Sequence, residues 1–163
     1  MKRQTVKAIG GATLAILVLA VFAQVRAPAR AQSGNEQGLV GSWNLEVTLR
    51  DCDSGTPFVS FPAMNTYNQG GTTQQTAVPG PEGTALPGHG VWSHQTGRNY
   101  AGAFQFFSFN PDGTYAGRVI VRSAISLGQS GDDYTSTDTG EILNPNGELL
   151  FRACSTTTAT RFK

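Results

Sequence analysis

The sequence predicts an all-β protein, a closed eight-stranded antiparallel up-and-down (meander) β-barrel, and three observations carry that expectation. Beyond an N-terminal leader, apolar and polar residues alternate with period two and helix signals are almost absent. Eight such runs follow one another, joined mostly by tight turns, and eight is a strand number at which a sheet closes round side chains or one small ligand. Antiparallel pairing of the first run with the last sets Trp43 opposite Arg161, and Cys52 opposite Cys154 to within two residues of the same register. An open sandwich of the same strands would separate the cysteines, whose Cα atoms must lie about 4.4–6.8 Å apart to be bridged. Closure also removes the free edges that the first and last strands would otherwise present.

The first strand carries Trp43, Leu45, Val47 and Leu49 on one parity and Asn44, Glu46, Thr48 and Arg50 on the other, so one of its faces is buried. A turn over Asp51–Thr56, holding Cys52 and Gly55, leads to a second strand at Phe58–Tyr67. Pro62 predicts an irregular or edge-like first half there, because proline donates nothing to a ladder. Asn68-Gln69-Gly70-Gly71 reads as a hairpin into a third strand, Thr72–Val78. Pro79–Gly88 holds three prolines and three glycines without periodicity and reads as a loop longer than the usual hairpin connection.

A fourth strand, His89–Gln95, turns at Thr96-Gly97 into a fifth, Asn99–Phe109. Tyr100, Gly102, Phe104 and Phe106 share one face of the fifth strand, and a β-bulge near Phe106-Phe107 is expected to turn Phe107 and Phe109 inward as well. Asn110-Pro111-Asp112-Gly113 is the strongest turn signal in the chain. The sixth strand follows, with Tyr115, Val119, Val121, Ile125 and Leu127 on one face and Arg118 and Arg122 on the other. Gly128–Gly131 turns into a seventh strand, Asp133–Leu143, and Asn144-Pro145-Asn146-Gly147 into the eighth, Glu148–Phe162.

The leader is read separately. Lys2, Arg3 and Lys7 form a basic start, Ala8–Val25 is apolar, and Ala29-Arg30-Ala31 offers an A-x-A cleavage site. Residues 1–31 are expected to be a signal peptide, 32–38 a disordered linker and 39–163 the barrel domain. The apolar run is also about long enough to span a bilayer, so an uncleaved anchor stays open, and only in that case would the protein associate with a membrane. After residue 31 the chain holds seven Lys and Arg against eleven Asp and Glu, a formal charge of −4 where the whole chain has +1. That balance gives no support to a nucleic-acid partner. Two cysteines in an exported chain are most simply one disulfide, Cys52–Cys154, and the expected location is secreted or periplasmic.

Gly41-Ser42-Trp43 at the first strand and Arg161 in the last resemble the calycin superfamily, the lipocalins with their avidin-like and fatty-acid-binding relatives. The mature chain as a whole is similar to uncharacterised exported bacterial lipocalin-like proteins. The resemblance implies that Arg161 lies over Trp43 and that the pair is structural, closing one end of the barrel. It departs from true lipocalins in lacking an acidic turn with Arg after the sixth strand and a long helix after the eighth.

Candidate chemistry is sparse. His89 and His94 point to opposite faces of one strand, and no Cys, Asp or Glu completes a zinc set, so no metal and no cofactor is expected. No Gly-x-Ser-x-Gly nucleophile motif exists, and the glycines near Pro79–Gly88 lack the strand-to-helix context of a phosphate loop. His94 shares the parity of Trp92, and Asp138 that of Tyr134, Gly140 and Ile142. An interior Asp138 needs a partner for its charge, and with His94 it would form an acid–base pair or an anchor for a polar ligand. Aromatic residues are concentrated enough to wall an apolar pocket. The expected ligand-binding set is Tyr67, Trp92, His94, Tyr100, Phe104, Phe106, Tyr134 and Asp138, with the mouth beside the Asp51–Thr56 turn and the Pro79–Gly88 loop. The leading expectation is a monomer that binds a small, mainly apolar molecule without catalysis. Two other readings stay open: a cyclase or isomerase that moves a proton with His94 or Asp138, and an exported inhibitor or interaction module with a solid barrel.

Overall fold

The computed structural model describes residues 38–78 and 87–163. The expected leader, all but the last residue of the linker, and most of the Pro79–Gly88 loop lie outside them. The described residues form eight strands: β1 (Gly41–Arg50), β2 (Pro57–Tyr67), β3 (Thr72–Ala77), β4 (Gly88–Thr96), β5 (Asn99–Phe109), β6 (Tyr115–Leu127), β7 (Asp133–Leu143) and β8 (Leu149–Arg161). Each pairs antiparallel with its neighbours in chain order, and β8 pairs back to β1 to close the barrel.

The seam between β1 and β8 runs in one register from Trp43 opposite Arg161 to Arg50 opposite Cys154. Cys52 therefore lies two residues beyond the end of β1. The Asp51–Thr56 turn, held by Gly55 N–H donating to Asp51 O at 2.9 Å, brings it back to Cys154 with a Cα–Cα distance of 5.2 Å. The disulfide thus staples the seam between β1 and β8, and it fits an oxidising, extracytoplasmic compartment.

Pro62 does mark a change in β2. Ala63–Tyr67 pair with β3, whereas Pro57–Pro62 are laddered only to β1. The bulge expected at Phe106-Phe107 is not there. The register slips further along, between Ser108 and Phe109, with the additional residue on β6 because Gly117 faces Ser108 and Tyr115 faces Phe109. Strand β5 therefore keeps its alternation. Phe107 and Phe109 stay on the outer face, half-exposed, their rings 5.9 and 6.0 Å from that of Tyr115, which is also outside.

The core gathers at one end of the barrel. Leu39, Trp43, Leu45, Tyr67, Ile125, Leu127, Tyr134 and Ala159 are buried there, and Phe61, Trp92 and Tyr100 pack against them. Residues 38–40 cross that end, and Trp43 Nε1 donates to Leu39 O at 3.0 Å. The Arg161 guanidinium lies 4.2 Å from the Trp43 ring centroid and donates to the carbonyls of Gly38, Val40 and Gly131 at 2.6–3.1 Å. It also pairs with Asp132 at 3.3 Å. The Gly of Gly41-Ser42-Trp43 has a physical reason: its φ is +133°, and a Cβ at this position would sit 2.7 Å from Arg161 Nη1. The sequence motif and the arginine are two halves of one plug.

Candidate functional site

In an up-and-down barrel every odd-numbered connection lies at one end and every even-numbered one at the other. The plug occupies the end of the β2–β3, β4–β5 and β6–β7 turns. The opposite half is hollow, with a cavity of about 560 Å3. Its floor is Tyr67 and Tyr134 above the plug. Its walls are Leu45, Val47, Leu49, Phe61, Ala77, Phe104, Phe106, Val121 and Ala153. The lining reaches Val59 and Val78, both about half exposed, at the end that holds the disulfide. The volume is that of sites for small molecules, roughly 300–1,000 Å3.

Strand alternation builds this chamber. Leu45, Val47 and Leu49 come inward together from β1, and Tyr134, Ser136, Asp138 and Gly140 from β7. Gly88 opens the wall of β4, because a Cβ there would approach the Phe104 ring to 2.8 Å, so the ring lies flat against bare backbone. Phe104 and Phe106 stack at 6.4 Å between centroids and form an apolar panel.

One polar cluster interrupts the apolar lining. Asp138 is 5% exposed and accepts hydrogen bonds from Ser136 Oγ at 2.9 Å, Thr157 Oγ1 at 2.9 Å and Ser155 Oγ at 3.4 Å. Among the described residues no Lys, Arg or His nitrogen comes within ion-pair distance of it. Asn65 Oδ1 accepts from Thr73 Oγ1 at 2.7 Å, and the side-chain oxygen of Gln75, which also lines the cavity, is buried without a hydrogen-bond partner among the described residues. The hydroxyls of Tyr67 and Tyr134 meet at 3.4 Å.

Burial, with a smaller contribution from the negative charge of Asp138, pushes the Tyr67 hydroxyl from 10.0 up to about 12; a hydrogen bond from Tyr134 opposes it in part. Burial raises Tyr134 further, helped by Tyr67. Both folded-state values exceed the unfolded one, so the folded state holds these protons more tightly. Stability is unaffected by them below about pH 10 and falls as pH rises from there towards 12. Tyr67 alone is expected to remove roughly 2–3 kcal/mol over that window. Urea midpoints measured on both sides of it check this, and a double Tyr67→Phe/Tyr134→Phe variant is expected to flatten the slope.

Five of the eight residues expected to bind ligand line the cavity: Tyr67, Phe104, Phe106, Tyr134 and Asp138. Trp92, Tyr100 and His94 do not. Strand β4 descends from the hollow end to the plug, so its later residues lie beneath the floor. There Trp92 meets Tyr67 edge-on at 6.0 Å and donates from Nε1 to Asn68 O at 3.0 Å, and Tyr100 packs beside Trp92. His94 is exposed, its Nε2 2.8 Å from Gly97 O. His94 and Asp138 are thus not brought to one chamber, and the acid–base pair between them does not form. The residues that sequence reasoning missed are the polar ones around the carboxylate, Ser136, Ser155 and Thr157, together with Asn65 and Gln75. Among the described residues no group of His, Cys, Asp and Glu is placed to hold a metal ion. No protein-family model matches the chain, and no curated protein is matched to it.

Proposed function

We propose that this protein is an exported, calycin-like barrel, secreted or periplasmic, that binds one small, mainly apolar molecule without transforming it. The observation that carries this reading is the 560 Å3 chamber, lined chiefly by aliphatic and aromatic side chains and closed at one end by a plug. A barrel built for packing alone would fill that space, because interiors ordinarily approach the density of organic crystals. The Trp43–Arg161 plug and the disulfide hold the wall in shape, which keeps the cost of ordering the site out of the binding step. Closure of β8 on β1 pairs the edges that the first and last strands would otherwise offer to a second copy, which favours a monomer. The hollow interior weighs against an interaction module with a solid barrel, and the separation of His94 from Asp138 weighs against catalysis.

The test is a fluorescence titration with the apolar probe N-phenylnaphthylamine on the wild type and on Ala153→Phe, which adds a ring to the cavity wall. Saturable one-to-one binding is expected in the first and at least about tenfold weaker binding in the second.

A further inference from the structure

The charge in the polar cluster has one sign. Asp138 and Gln75 both present acceptor oxygens inside the chamber, and the hydroxyls around Asp138 already donate to it. The Gln75 oxygen has no hydrogen-bond partner among the described residues. A buried carboxylate is costly unless an opposite charge or a full set of hydrogen bonds accompanies it. Three hydroxyl donors supply part of that set, and no basic side chain among the described residues approaches. What the Asp138 carboxylate lacks among the described residues is a cation.

We propose that the ligand is a cationic amphiphile, an amine whose ammonium head sits against Asp138 while its apolar body extends along Phe104 and Phe106 towards Val59 and Val78. An ammonium offers up to three N–H donors, enough to meet the carboxylate and a neighbouring acceptor together. A fatty carboxylate would be repelled at the same place, and a neutral alcohol would offer one donor and no charge. This inference rests on the ligand-binding reading above and adds the class of ligand.

Isothermal titration calorimetry with decylamine, decanol and decanoate, each below its aggregation concentration, tests it on the wild type and on Asp138→Asn. The expected order in the wild type is decylamine at least about tenfold tighter than decanol, with decanoate weakest. Asp138→Asn is expected to bring decylamine to within about twofold of decanol, both measured on that variant. Equal affinities in the wild type, or a preference for decanoate, would overturn the amine proposal and leave the apolar cavity intact as a binding site. Failure of all three to bind would overturn the binding reading as well. The wild-type series decides the matter even if the variant does not fold, and circular dichroism of the variant reports that independently.

Discussion

Truncation of Trp43 to alanine is expected to cost about 3–5 kcal/mol of unfolding free energy, a large share of what a domain of this size possesses. The side chain is 1% exposed and lies at the centre of the plug. Its removal opens a cavity against Leu39 and Tyr134, whose ring centroid is 4.8 Å away. It also leaves the Leu39 carbonyl without its donor and the Arg161 guanidinium without the ring beneath it. Trp43→Phe keeps a ring but not the N–H, and a cost of roughly 1–3 kcal/mol is expected for the lost hydrogen bond and smaller ring. Urea unfolding followed by circular dichroism ranks the three proteins. A Trp43→Ala protein within about 1 kcal/mol of the wild type would show that residues 38–40 and Arg161 close the barrel unaided.

Removal of the disulfide by Cys52→Ser together with Cys154→Ser is expected to have an effect of similar size. The bridge spans 102 residues of sequence, and in the chain-entropy account a loop of that length loses up to about 4.7 kcal/mol of unfolded-state freedom on crosslinking. The native site asks for little rearrangement, because Arg50 opposite Cys154 already brings the turn carrying Cys52 to the seam. Reduction of the wild type should therefore lower its urea midpoint to that of the double variant. The floor of the cavity and the plug lie at the other end, so the reduced protein is expected to retain its fold in the absence of denaturant. Equal midpoints for the oxidised and reduced forms would mean that the β1–β8 ladder needs no staple.

The architecture was legible because closure left two independent marks on one register. Trp43 opposite Arg161 holds as written, and the disulfide departs from it by the two residues that the Asp51–Thr56 turn folds back. Arg161 over Trp43 was legible only through the family resemblance, and why a glycine opens that motif became clear from the arginine that Gly41 accommodates. The lining was only half legible. Placement of His94, Trp92 and Tyr100 in the site followed parity, which decides inside from outside, but neglected height, which the direction of β4 decides.

The surroundings of Asp138 were hidden for another reason. The Asn144–Gly147 turn sets Leu143 opposite Leu149, and that register carried onward would bring Asp138 opposite Cys154. A shift at Ile142, which pairs with Phe151, brings it opposite Ser155 instead and aligns the odd-numbered hydroxyls of β8 with the carboxylate. Bulges of this kind depend on packing across the sheet, and a single sequence seldom announces them. The same limit explains Phe107 and Phe109, which stay outside because the slip fell on β6 near Gly117 and not within β5.

The claim that the hollow half of the barrel is a ligand site is tested most directly by the titration of the wild type and Ala153→Phe with N-phenylnaphthylamine. Ala153 faces the cavity from β8 and takes no part in the plug, so the substitution fills space while leaving the closed end untouched. A ligand site there gives saturable binding by the wild type, at least about tenfold weaker binding by the variant, and the same circular dichroism for both. No saturable binding by the wild type, or undiminished binding by a folded Ala153→Phe protein, would contradict it.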